Sequence, residues 1–412
     1  MRHASSTPQP AQPYWGFGLF VVLLLSSAAH GSFKVGPLQF SPTAEASLAY
    51  DTNITRLPSD EIADFVLRAS LGLNGSLALP FDNSLSYGAS FDTIHYLDNA
   101  DLSSENSNSS LVFVPTLDLG LGIALSETVR LDFTDNLVVS QDATGSIGRD
   151  EDGELLNNLL QFNRLENTFR ASLIWDVNSI NSLSFSFSRT DLYPFDDEFR
   201  DTQRVTETFA LNWRHILNAR VTLGLGGGLS RTHYETNFQN DSEGRFVNAS
   251  LTWSLTDLII LTADTGYTWS DIERTGVVND LSGGDAGTGW DVGLQWEHSF
   301  TSIMSYALAY RRSLDFGFVA NRTKVDSLSW DFTWLGFFRN DLLLSVEYLW
   351  AEDSGGIFAE DYERLSVTTG LEYAFSPDLR TRLGYRFTQK WSNFAEREYT
   401  QHVVDVTLTY AF

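Results

Sequence analysis

Apolar and polar residues alternate along most of this chain. Between Phe65 and Leu79 the residues Phe65, Leu67, Ala69, Leu71, Leu73, Leu77 and Leu79 share one parity, with Gly75 among them. Arg68, Ser70, Gly72, Asn74 and Ser76 share the other. A strand sends successive side chains to opposite faces, so this segment has one greasy face and one polar face; a helix would scatter the leucines around its axis. Leu111 to Leu125 repeats the pattern, with Leu111, Phe113, Leu117, Leu119, Leu121, Ile123 and Leu125 set against Thr116, Asp118, Gly120 and Gly122. So does the end of the chain, where His402, Val404, Val406, Leu408, Tyr410 and Phe412 oppose Gln401, Asp405, Thr407 and Thr409. Applied throughout, the period of two predicts about 18 strands. Their spans are 38–50, 64–79, 84–97, 110–125, 129–140, 163–175, 180–193, 202–216 and 221–234, then 245–255, 258–270, 288–300, 303–314, 324–334, 341–350, 362–375, 379–391 and 399–412.

The links between these spans alternate in length. Short ones follow even strands, as at Pro80-Phe81-Asp82-Asn83, Ser126-Glu127-Thr128, Thr256-Asp257, Thr301-Ser302 and Ser376-Pro377-Asp378. Long polar ones follow odd strands, at 51–63, 98–109, 141–162, 235–244, 271–287 and 351–361. Counted strictly, the two kinds fall out of phase along the chain, which marks one or two spans as miscut. Aromatic residues gather at strand ends. Trp175, Trp213, Trp253, Trp296, Trp334 and Phe375 precede short links; Trp269, Trp290, Trp350 and Trp391 lie toward the opposite rim. Such rings favour the headgroup level of a bilayer, dry on one side and wet on the other. A soluble sandwich has similar inner faces, but not this many strands with an up-and-down link pattern. The expected fold class is therefore all-β, a transmembrane up-and-down antiparallel β-barrel. One strand resists: in 129–140 the apolar parity includes Asp135, which then faces lipid unless a β-bulge turns it inward.

Composition agrees with a barrel. The 412 residues include 29 Phe, 15 Tyr and 11 Trp but 2 Met and no Cys. Without Cys there is no disulfide, thiol nucleophile or thiolate metal site. Mean hydropathy is slightly negative, which excludes a bundle of membrane helices. A net charge of −26 argues against nucleic acid as a partner, since phosphate needs a basic face. At the N-terminus a polar stretch with Arg2 leads into an apolar run from Tyr14 to Leu25 and then Ser26-Ser27-Ala28-Ala29. This predicts a signal peptide over 1–29, cleaved after Ala29, and a barrel over 30–412. The expected location is the bacterial outer membrane.

The terminal run Val404-Asp405-Val406-Thr407-Leu408-Thr409-Tyr410-Ala411-Phe412 resembles the last strand of bacterial outer-membrane proteins. In that class the strand ends in Phe and is read by the barrel-insertion machinery. The segment Leu48-Ala49-Tyr50-Asp51-Thr52-Asn53-Ile54, with Asp64 and the strand after it, is similar to the start of bacterial β-barrel porins, some from exopolysaccharide export operons. The resemblance implies a channel or a secretion-associated barrel, with outer-membrane lipid, lipopolysaccharide and possible polysaccharide export proteins as partners. It supplies no catalytic residues and no cofactor.

With the apolar parity facing lipid, the other parity lines the lumen. Strand 379–391 then points Arg380, Arg382, Arg386 and Lys390 inward, with Arg364 on the strand before. Strands between 288 and 350 point Asp291, Glu297, Asp331 and Glu347 inward. A barrel of this size holds water, and opposed charge rows set its selectivity for small polar solutes. The expectation is an eyelet with a basic wall and an acidic wall, against the alternative that neighbours such as Glu372 and Asp405 neutralise the arginines. Loop 141–162 is the expected constriction on length. The acidic loop residues Asp150-Glu151-Asp152-Gly153-Glu154, Asp196-Asp197-Glu198 and Glu360-Asp361 read as solvated surface. No metal site is expected, because the first of these runs lacks EF-hand spacing. An enzyme is not expected either. No Gly-x-Ser-x-Gly occurs, and His298 and His402 fall on the lipid-facing parity. The Gly224–Gly228 run is a thin strand rather than a phosphate loop. Only residues 30–37 precede the first strand, too few for the plug of an energised transporter.

Overall fold

The structure is a computed structural model that describes residues 33–59, 61–99, 114–140, 148–149, 155–156, 164–195, 197–236, 240–273, 288–315, 322–338, 340–354 and 360–412. The predicted signal peptide and the acidic run at 150–154 lie outside these residues. So does loop 141–162, except for the two-residue strands Gly148–Arg149 and Leu155–Leu156, which pair with each other.

Within the described residues the chain forms a closed antiparallel barrel of 18 strands. The strands are β1 (Leu38–Asp51), β2 (Asp64–Leu79), β3 (Asn83–Tyr96), β4 (Val114–Ser126), β5 (Val129–Ser140) and β6 (Arg164–Asn178). They continue as β7 (Asn181–Pro194), β8 (Arg204–Asn218), β9 (Val221–Tyr234), β10 (Ser242–Thr256), β11 (Ile259–Ile272) and β12 (Gly289–Thr301). The last six are β13 (Met304–Asp315), β14 (Arg322–Phe337), β15 (Asn340–Ser354), β16 (Asp361–Ala374), β17 (Leu379–Ser392) and β18 (Tyr399–Ala411). Each strand pairs with the next, and β1 pairs with β18 from Thr43 opposite Ala411 to Asp51 opposite Val403. Closure removes the free edges that would expose backbone groups to hydrocarbon. A short extra strand, Phe33–Val35, folds back on β1.

Every predicted span has its strand, so the expected miscut is absent: the links stay in phase all the way round. The short links share one piece of turn chemistry, a side-chain oxygen that caps the turn it starts. Asn178 Oδ1 accepts from the amides of Ile180 at 3.0 Å and Asn181 at 2.9 Å. Asn218 does the same for Arg220 at 2.8 Å and Val221 at 3.0 Å. Thr256, Thr301 and Ser376 use their hydroxyls likewise. In the three-residue link between the paired Leu79 and Asn83, Phe81 and Asp82 both take positive φ, 62° and 58°.

The faces are inverted relative to a soluble protein. Leu119, Phe209 and Leu225 are each 54% exposed on the outside of the wall. A band of exposed apolar residues of this extent needs an apolar surrounding. Trp175, Trp253, Trp269, Trp290 and Trp391 stand exposed toward its two edges. Asp135 stays outward. It lies opposite Leu119 on β4 and Phe169 on β6, and the pairings there run without a register shift, so no bulge turns it inward.

Candidate functional site in the lumen

The inward parity carries the predicted charges. Arg380, Arg382, Arg386 and Lys390 alternate with outward Leu383 and Trp391 on β17. Arg364 lies opposite Lys390, and Glu372 opposite Arg382. Asp291, Glu297, Asp331 and Glu347 take inward positions on β12, β14 and β15.

Local partners then divide this set. Arg364 bonds Glu347 at 3.1 Å, so a residue of the expected basic wall and one of the acidic wall form a single ion pair. Arg380 pairs with Glu372 at 3.3 Å. Lys390 is buried, with its ammonium 2.7 Å from Glu360, whose other oxygen holds the Arg397 guanidinium at 3.0 Å. Ser392 Oγ also donates to Glu360 at 2.6 Å. Glu360 is therefore a buried bridge between the β15–β16 and β17–β18 loops, not the solvated loop residue expected from its acidic run. Burial pushes its carboxyl pKa up, but the charges and hydrogen bonds of Lys390, Ser392 and Arg397 outweigh this and hold it below the usual glutamate value. Asp291 closes a strand end, accepting from Thr268 Oγ1 at 2.9 Å and the Leu314 amide at 3.1 Å. Glu297 accepts from Gln295 at 2.8 Å.

Arg386 is different. It is exposed to the lumen and forms no ion pair among the described residues. The charges that act on it are those of Arg56, Arg68, Asp51 and Asp405. Arg68 faces inward on β2, in one cross-strand row with Ser47, Thr407 and Arg382. Small hydroxyl residues thus separate the two arginines along the wall. Arg382 lies flat over Gly370 of β16, where a Cβ would stand 2.9 Å from its Nε.

Arg56 comes from the β1–β2 loop, and the sequence around it explains its place. Asp51 Oδ1 accepts from the Asn53 amide at 2.9 Å, and Asp51 Oδ2 accepts from Gln401 Nε2 at 2.7 Å. Asn53 is wholly buried. Its amide group donates to the carbonyls of Leu57 at 2.8 Å and Thr400 at 3.2 Å, while its Oδ1 accepts from the Leu57 amide at 3.1 Å. This turn lets Arg56 hold a positive φ of 54°. The next residue toward the wall, Ile54, packs on the inward-facing Ala49, Val66, Tyr96 and Val403. The loop is thus folded into the lumen and delivers Arg56 beside Arg68 and Arg386. Of these three, the sequence reading placed Arg386 and saw Arg68 only as a polar-parity residue. Arg56 gave no signal, because its position depends on contacts with β18.

Among the described residues, His215, His298 and His402 sit apart from this lumen. His402 bonds the Tyr385 hydroxyl at 3.0 Å, His215 bonds Asn181 at 2.9 Å, and His298 packs at a tilt on Phe300 and edge-on against Tyr306, all on outward positions. Among the described residues no cluster of three or more ligating side chains could hold a metal ion.

No family model and no curated protein matches the sequence. Solved structures do match in fold. OpdK of Pseudomonas aeruginosa with vanillate is 10% identical, with 90% of this chain and 99% of that one covered and a TM-score of 0.52. OccK2 (OpdF) of the same organism, in complex with glucuronate, is 10% identical over 91% and 98%, also at 0.52. A BenF-like porin from Pseudomonas fluorescens Pf-5 is 10% identical over 92% and 100%, at 0.51. At such identity the likeness is one of architecture: this chain has the closed 18-strand barrel fold of outer-membrane porins.

Proposed function

We propose that the chain is a porin-like channel of the bacterial outer membrane, through which small polar solutes diffuse, anions in preference. The observation that carries this is the cluster of Arg56, Arg68 and Arg386, which form no ion pair among the described residues and gather where the β1–β2 loop enters the lumen. Three cations gathered beside two carboxylates, Asp51 and Asp405, carry net positive charge and attract an anion, and the low-dielectric wall strengthens the field they make. The planar guanidinium forks suit carboxylates. Two porins of the same fold were crystallised with vanillate and glucuronate, both carboxylates, which supports this substrate class.

Diffusion through a hydrated bore needs no cofactor. The ion pairs Arg364–Glu347 and Arg380–Glu372 fix the wall and cancel their own fields, so the cluster of Arg56, Arg68 and Arg386 weighs most on selectivity. Purified protein in planar bilayers tests the reading. Steady ion-sized conductance steps are expected; a silent barrel would contradict it.

A further inference from the structure

The outward face of β14 to β17 holds an open groove of about 390 Å³ near the long-loop rim. Two indoles and a carboxylate define it. Trp350 on β15, Glu363 on β16 and Trp391 on β17 are directly opposed, so the tryptophans flank the glutamate with their Cα atoms roughly 10 Å apart. Lys324, Glu352 and Asp361 form the next outward row toward the rim. Trp350 rests against the rings of Tyr348 and Tyr310, at centroid distances of 5.8 and 6.4 Å. The Tyr348 hydroxyl donates to Glu363. Neighbours in the wall thus hold both the indole and the carboxylate in place.

Charge and depth together select an occupant. The nearby cations are already paired: Lys324 lies 3.2 Å from Glu352, and Arg312 lies 2.7 Å from the buried Asp326. Glu363 and Asp361 form no ion pair among the described residues, so the groove carries net negative charge. At about 3.3 Å per residue and a tilt near 40°, Trp350, Glu363 and Trp391 stand roughly 25–30 Å from the short-turn rim. That is the far edge of an apolar band about 25 Å tall, the level of lipid headgroups. Beneath the groove the wall turns apolar, with outward Leu365 and Val367 on β16 and the exposed Leu383 on β17.

We infer that the groove seats an amine-bearing lipid headgroup, its ammonium between Trp350 and Trp391 over Glu363 and its acyl chains along the apolar wall below. A cation is attracted to an indole from within about 6 Å of the ring centre, so one ammonium can bridge the two rings. Glu363 supplies the opposite charge and keeps acceptor capacity beyond its bond from Tyr348. A headgroup whose only charge is a phosphate meets repulsion there. A free amine in solution has poorer access, because the groove opens on a face that lipid covers.

The test uses the folded barrel purified in mild detergent and given equal amounts of phosphatidylethanolamine and phosphatidylglycerol with the same acyl chains. Native mass spectrometry counts the lipids retained, and heat-dependent gel mobility confirms that each variant is folded. Wild type is expected to keep one phosphatidylethanolamine with roughly tenfold preference. Glu363→Gln keeps an acceptor for Tyr348 but loses the charge, and Trp391→Leu loses one indole; each should bring the preference to within about twofold. N-acetylated phosphatidylethanolamine should be retained no better than the glycerol lipid. Glu243→Gln, which removes an outward carboxylate paired with Arg231 on the distant β10, should leave the preference intact. Equal retention of the two lipids by wild type, an unchanged preference in Glu363→Gln, or an equal loss in Glu243→Gln would overturn the headgroup site. So would displacement of the lipid by an equal concentration of free ethanolamine. The groove lies outside the lumen, so each of these results leaves the channel reading to its own bilayer test.

Discussion

Asn53, in the first long loop, donates to the carbonyl of Thr400 on the last strand at 3.2 Å, across 347 positions of sequence. The bond ties the in-folded loop to the seam where the barrel closes, and the same side chain closes the turn that presents Arg56. A fully buried amide that loses its partners costs about 1–3 kcal/mol. Asn53→Ala should therefore lower barrel stability by roughly that amount and release the loop. Open-channel current noise should rise at the same time. A quiet channel with unchanged denaturation would place the loop's anchorage elsewhere.

Acid should loosen the loops that Glu360 bridges. Its carboxyl is held below the ordinary glutamate value, so the folded state binds that proton less readily than the unfolded one. The stability it contributes is complete above the ordinary value and is lost as pH falls through the lower, folded value. Glu360→Gln should remove this acid-sensitive component. Breaking such a buried pair costs about 3–5 kcal/mol, because Lys390 and Arg397 keep their charges. Denaturation midpoints measured on both sides of the carboxylate range, for wild type and variant, check the sign.

Gly370 lets Arg382 lie along the wall. The group that a new Cβ would strike is the guanidinium at the far end of a flexible side chain, so Gly370→Val should change stability little, within about 1 kcal/mol. It should lift the guanidinium into the bore. Single-channel conductance is expected to fall while the denaturation midpoint holds.

The pair Arg364–Glu347 offers a control. Because the two charges stand 3.1 Å apart, their fields cancel beyond the near wall. Replacing both by Ser should leave ion preference as it is, whereas a change as large as that from Arg386→Ser would show that the pair is not self-neutralising.

Most of the fold could be read before the structure. Alternation decides which face each strand residue takes, and no strand end differs from its predicted span by more than four residues. Asp135 followed the same parity, and the doubt about it came from its cost, not from its pattern. The lumen was less legible. Parity placed Arg364, Glu347 and Lys390 inward but could not tell which charges would touch, since that depends on register between strands. Arg364 and Glu347 were assigned to opposite walls, yet the register sets them within bonding distance. Glu360 and Arg56 lie in loops, where no period applies, and long-range contacts with Lys390, Arg397 and β18 fix them.

The reversal potential across a salt gradient, for the wild-type channel and for the triple variant Arg56→Ser, Arg68→Ser and Arg386→Ser, bears most directly on how the lumen selects. The wild-type potential should have the sign of an anion-preferring pore, and the triple variant should move toward cations. Identical potentials, or a cation-preferring wild type, would contradict a lumen governed by these three arginines.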